Sequence, residues 1–154
     1  MNAIFSKINW VSFAIVCSVL STHAQTKPAF SKQDELAVMK VLDEYMDTFN
    51  SKNAKAWQST YHFPHYRLAS GKMSVLESAT LDTNVFIKLQ QAGWHHSKWD
   101  RKKIIHASGE KVHVDTQFSR YRADGTLIAS YESLYVVTKE NGRWAVKLRS
   151  SFAE

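Results

Sequence analysis

Past its first two dozen residues the chain has no cysteine; the single one, Cys17, lies in an N-terminal apolar stretch. Disulfides and thiol chemistry are therefore excluded from the rest of the protein. Glycines number five and prolines two. No internal repeat or low-complexity tract appears, so 154 residues are expected to form one domain. Charge of one sign is not concentrated either. The net charge is +6, and Arg101-Lys102-Lys103 is the only tight basic cluster, so no nucleic-acid footprint is expected. Long hydrophobic runs are missing as well. The stretch Ile8 to Leu20 falls short of the roughly 20 residues a membrane-spanning helix needs. Lys7 precedes it and Ser21-Thr22-His23-Ala24 follows, a basic start, apolar middle and small-residue exit that read as a secretory signal. Residues 1–24 are thus expected to be removed after Ala24, 25–31 to form a flexible leader, and 32–154 to form the domain. Export places the protein in a periplasm or outside the cell, with no membrane attachment after cleavage. A cysteine-free exported domain suits a bacterial periplasm. The remaining 130 residues carry 19 basic and 14 acidic side chains, a net charge of +5, and can bury one core.

What is present patterns into helices, then strands. Ser31 and Asp34 have the spacing of a capping box. Leu36, Met39, Leu42, Met46 and Phe49 recur at helical spacing, widened by Val38, Val41 and Tyr45, which predicts a helix over 32–49. Asn53 caps a second helix, 54–61, in which Trp57 and Tyr61 lie one turn apart. Pro64 is expected to end it, since it lacks an N–H. A short hairpin follows, 66–69 and 73–76 around Ser70-Gly71-Lys72. A third helix, 81–92, carries Leu81, Val85 and Leu89 on one face and Gly93 at its C-cap. Four strands complete the chain: 94–106, 111–122 with Val112, Val114 and Phe118 alternating, 126–138 after Asp124-Gly125, and 143–152 after Asn141-Gly142. Trp144, Val146 and Leu148 mark one face of the last. Helices first and an antiparallel meander last make the class α+β.

This order, with DEYMDTFNSKNAKAWQSTYH near the start and SYESLYVVTKENGRWAVKLRSSF at the end, resembles the nuclear transport factor 2-like (SnoaL-like) superfamily over residues 34–152. The resemblance implies a cone-shaped α+β roll: three N-terminal helices packed on a strongly curved, mainly antiparallel sheet with an open mouth. The superfamily holds isomerases, hydrolases, dehydratases, cyclases and binding domains, so fold alone does not name a function. In the ketosteroid isomerase branch, a tyrosine and a protonated acid donate to an oxyanion; the matching positions here are Tyr45 and Glu132. That branch also needs a carboxylate base on the first short strand, and no acid lies between Tyr61 and Leu76. The limonene epoxide hydrolase branch resembles an arginine between two aspartates, which Asp115 and Arg120 do not reproduce.

The same resemblance and strand parity set the candidate pocket. If Glu132 points inward, so do Ser130 and Leu134. Arg120 shares the face of Val114 and Phe118, and Phe152 lines the closing strand. With Tyr45, Trp57, Tyr61, His65, Arg67 and Trp99 they would form an aromatic chamber holding a flat or acidic small molecule, with Arg120 or Arg67 on a carboxylate. Arg120 and Glu132 would otherwise neutralise each other as a cross-strand pair. His62/His65 and His95/His96 lack a neighbouring third ligand, so no metal is expected, and no cofactor. The leading expectation is a non-catalytic domain that binds a small molecule or a protein partner. The other is a cofactor-free lyase, isomerase or hydrolase with His65 or His96 as base and Arg120 or Glu132 steering charge. Tyr131, Tyr135 and Val137, read as outward residues, would supply a homodimer face on the sheet.

Overall fold

The computed structural model describes residues 29–153; the expected signal and most of the expected leader lie outside the described residues. Helix α1 (Lys32–Asn50) opens on the expected capping box, with Asp34 N–H donating to Ser31 Oγ at 3.1 Å and Ser31 N–H to the Asp34 carboxylate at 3.1 Å. The same carboxylate accepts from Lys139 Nζ at 2.9 Å and Trp144 Nε1 at 3.0 Å, so one side chain caps the helix and ties it to the sheet. Ser31, Lys139 and Trp144 together hold its pKa far below the usual carboxylate range. The buried face is Val38, Leu42, Tyr45, Met46 and Phe49; Leu36, expected on it, is exposed.

Helix α2 (Ala54–Ser59) is capped by Asn53 and ends earlier than expected. Pro64 does not end it. Tyr61 instead starts strand β1 (Tyr61–Ala69), and Pro64 sits inside that strand, where its pairing is irregular and no ladder N–H is required. Strand β2 (Lys72–Leu76) returns antiparallel. Helix α3 (Asn84–Gln91) starts three residues later than expected. Phe86 is its buried residue, while Leu81 lies outside it at φ 55° and Val85 is exposed. Strands β3 (His96–Ala107), β4 (Lys111–Tyr121), β5 (Leu127–Glu140) and β6 (Arg143–Ser151) form the meander, and β6 pairs parallel with β1. The sheet order is β2-β1-β6-β5-β4-β3, with helices on its inner face. The class is α+β, as expected.

Two local features orient everything that follows. At the end of α1, Asn50 makes a two-way clasp with the Ser97 backbone, at 2.9 and 2.8 Å, which pins the helix to β3. Gly93 turns the chain out of α3 at φ 85°, and a Cβ there would run into the Arg122 guanidinium. Gly93→Ala should therefore lose about 1–2 kcal/mol from left-handed strain, read as a lower urea midpoint with an unchanged slope.

Candidate functional site

Strand parity decides which side chains enter the cone. On β4, Val112, Val114, Thr116 and Phe118 are buried, and Arg120 continues their face, as expected. Cross-strand partners share a face, so the partners of Phe118 and Val114, which are Tyr131 and Tyr135, also point in. This reverses the expected parity of β5. Tyr135 is 1% exposed and Val137 fully buried, while the Glu132 side chain is 48% exposed on the outer face. There it joins Arg101 at 2.5 Å and Gln117 at 2.9 Å, and Arg101 also holds Asp115. Glu132 therefore neither lines the cavity nor meets Arg120, whose partner across the strands is Ala129.

A bulge brings in a residue that sequence parity puts outside. Val137 pairs with Val146 but Val136 pairs with Leu148, so Lys147 is an extra residue on β6. Past it the faces exchange. Leu148 turns outward, and Arg149, only 7% exposed, turns into the cone. Its Nη1 donates to Tyr45 Oη at 3.3 Å and its Nη2 to Ser151 Oγ at 3.0 Å; its Nε–H is buried without a partner. Arg120 likewise has a buried, unpartnered Nε–H. Both guanidinium groups lie over the Phe118 ring, at 5.4 Å for Arg149 and 5.8 Å for Arg120, with Tyr131 beneath Arg120 at 4.9 Å and Tyr135 beneath Arg149 at 5.7 Å. Arg67 pairs in register with Arg149 and donates to the Ala153 carbonyl at 3.4 Å. Burial, then the Arg149 charge, push the Arg67 pKa down; burial does the same to Arg120. For Arg149 burial opposes the charge, but Tyr135, Tyr45 and Tyr61 outweigh it.

These groups form the floor of a cleft of about 1040 Å³ between the sheet, α1, α2 and α3. Tyr45, Trp57, Tyr61, His65, Arg67, Arg120 and Phe152 line it, joined by Tyr131, Leu89 and Arg149, which sequence reasoning left out of the pocket. Phe152 is 80% exposed and stands at its rim. At the floor the cleft meets a void of about 10 Å³, room for about one water, against Phe118, Arg120 and Arg149. Trp99 does not reach the cleft: it packs on Tyr45 and Tyr135 in the core and donates to the Leu42 carbonyl at 3.0 Å. Gln58 Oε1 accepts from Thr80 and Leu81 N–H, which fastens the segment before α3 over the cavity.

His65 is a titratable base in the cavity wall. Its ring stacks on Tyr61 at 3.9 Å, and Nδ1 lies 3.2 Å from the Val146 carbonyl. A carbonyl only accepts, so Nδ1 carries the proton and Nε2 is the acceptor. Burial, reinforced by Arg149, Lys147 and Arg67, lowers its pKa to about 4. His96 sits away from the cavity, stacked on Tyr121 beside His95. Among the described residues no group of three or more His, Cys, Asp or Glu side chains is placed to hold a metal. No helix among them is long and apolar enough to cross a membrane.

A family model described as NTF2-like protein (DUF6841) matches residues 34–148. Solved structures agree with the fold. A protein of unknown function with a cystatin-like fold from Nostoc punctiforme has a TM-score of 0.68 at 12% identity, covering 82% of this chain and 95% of that one. An NTF2-like protein with a cystatin-like fold from Novosphingobium aromaticivorans has a TM-score of 0.66 at 12% identity, covering 78% and 81%. A ketosteroid isomerase-like protein from Erwinia carotovora atroseptica has a TM-score of 0.61 at 15% identity, covering 79% and 97%. At such identities the likeness shows the fold alone. No curated protein matches the chain in sequence.

Proposed function

The chain belongs to the NTF2-like protein family (DUF6841), and from that premise we infer that it is an exported binding domain whose cleft takes a small molecule with an apolar body. The observation that carries this reading is the cleft itself, about 1040 Å³ with Tyr45, Trp57, Tyr61 and Tyr131 in its walls. That volume is at the upper end of what small-molecule sites use, and aromatic walls with a few polar groups are their usual composition. Residues 1–24 are the signal for export, and a mature N-terminus at Gln25 is the expected mass-spectrometric result.

The test of the reading is extraction. Protein purified from its own host should release about one small molecule per chain on denaturation. Protein that releases none, and whose melting temperature answers to no compound in an apolar library of acids and neutral molecules, contradicts it.

A second reading, a cofactor-free proton-transfer enzyme, is favoured by one observation, the Nε2 lone pair of His65 in the cavity wall. A base with a pKa of about 4 is weak at neutral pH. With Glu132 outside the cavity and no acid on β1, whose inward positions hold His65 and Arg67, neither carboxylate of the isomerase pattern is in place. For partners, a homodimer through the outer sheet face stays a proposal on changed residues: Tyr135 and Val137 face in, but Tyr66, Leu148 and Val136 form one row across three strands outside.

A further inference from the structure

We propose that the ligand of this cleft is an apolar carboxylic acid, held by its carboxylate against Arg149 and Arg120 at the floor, with its hydrocarbon body among the aromatic walls. This deepens the binding reading above and rests on it.

Among the described residues no ion pair joins Arg67, Arg120 or Arg149 to a carboxylate; the pairs that form involve other residues, mostly on the surface. A guanidinium stays protonated even when burial lowers its pKa. Three positive charges therefore converge in one partly dry site, and two of them leave a buried N–H unused. For Arg120 the Phe118 and Tyr131 faces compensate only part of this, and burial still disfavours its charge. The carboxylate that lines the cleft, Asp82, accepts from the Asn84 N–H at the start of α3. A site arranged this way is complementary to an anion supplied from outside.

The shape narrows the class. Arg120 and Arg149 line both the cleft and the small void below it, so their guanidinium groups stand where the two meet. A planar carboxylate matches guanidinium edges in geometry and charge. Tyr45, already bonded to Arg149, and Arg67, beside it in register, complete the polar end. Above that end Trp57, Tyr61, Tyr131 and Leu89 offer a broad apolar surface, bordered by the polar side chains of Gln58, Thr80 and Lys88, which suits a ligand whose body is largely apolar. His65 Nε2 is a neutral acceptor on the wall, suited to a hydroxyl or N–H on the ligand body.

The test uses calorimetry and thermal melting of the purified protein with naphthalene-2-carboxylate and decanoate, each beside its primary amide, and with inorganic phosphate. Binding of at least one acid, with its amide about tenfold or more weaker and phosphate without effect, is the expected result. Arg120→Gln and, separately, Arg149→Gln should lower acid affinity about ten- to a hundredfold and lower that of the amide by a much smaller factor. Arg120→Gln is the safer variant for folding, because Arg149 also holds Tyr45 and Ser151. Acid and amide binding equally overturns the proposal and leaves the binding reading standing. No binding by any of the four organic probes overturns the proposal, and overturns the binding reading as well when protein from its own host releases no small molecule. Phosphate protecting as well as the acids overturns the apolar class, and arginine variants that bind acid like the parent overturn the assignment of the floor.

Discussion

Tyr135→Ala is expected to lose about 3–5 kcal/mol of folding stability, whereas Glu132→Ala, three positions earlier on the same strand, should leave the unfolding midpoint nearly unchanged. Tyr135 is 1% exposed, with Tyr45 edge-on at 5.4 Å and Trp99 at 5.5 Å. Its removal opens a hole in the middle of the aromatic core and takes the ring from beneath Arg149. Glu132 contributes a solvent-screened contact to Arg101 on the outer face. Urea unfolding of both variants measures the contrast. The opposite ranking, a severe loss from Glu132→Ala and a mild one from Tyr135→Ala, would put the acid back inside the cone.

Acid should destabilise the protein through His65. The folded-state pKa is about 4, below the ordinary 6.5 of the unfolded chain. Above pH 6.5 the ring is neutral in both states and contributes no pH dependence. Between 6.5 and 4 the unfolded chain binds a proton that the folded chain refuses, so stability falls as pH falls, by about 3 kcal/mol in full. His65→Phe keeps a ring to stack on Tyr61 and removes the titration. It also leaves the Val146 carbonyl without its donor, an offset that does not vary with pH. The parent-minus-variant difference in unfolding free energy should therefore shrink steadily from pH 7 to pH 4. A flat difference over that range contradicts burial of an uncharged His65.

Most of the fold could be read from residue patterns because its determinants are local. Ser31 with Asp34, Asn53, Gly93, Asp124-Gly125 and Asn141-Gly142 each act within a few residues, and each does what its chemistry demands. Val112, Val114 and Phe118 likewise show their face by alternation. The failures come where a face is set by partners distant in sequence. On β5, Leu134 and Val136 are apolar on one side and Tyr135 and Val137 on the other, so alternation carries no contrast and parity was open to inversion. Only pairing with β4 chooses the side. On β6, Leu148 continues the alternation of Trp144 and Val146 so well that nothing in the residues marks Lys147 as the extra one. Arg149, the most deeply buried charge of the cavity, was hidden by that single inserted position. On β1, Pro64 reads as the end of a helix because its missing N–H suits one; the irregular stretch of a strand suits it equally.

The most direct test of the cleft and its arginine floor is a crystal structure of the protein with 6-bromonaphthalene-2-carboxylate, located by the anomalous signal of bromine. The naphthalene should lie between Trp57 and Tyr131, with a carboxylate oxygen about 2.7–3.2 Å from a guanidinium nitrogen of Arg149 or Arg120. A molecule seated with its carboxylate in solvent at the rim near Phe152, or bound only on the outer face of the sheet, would contradict it.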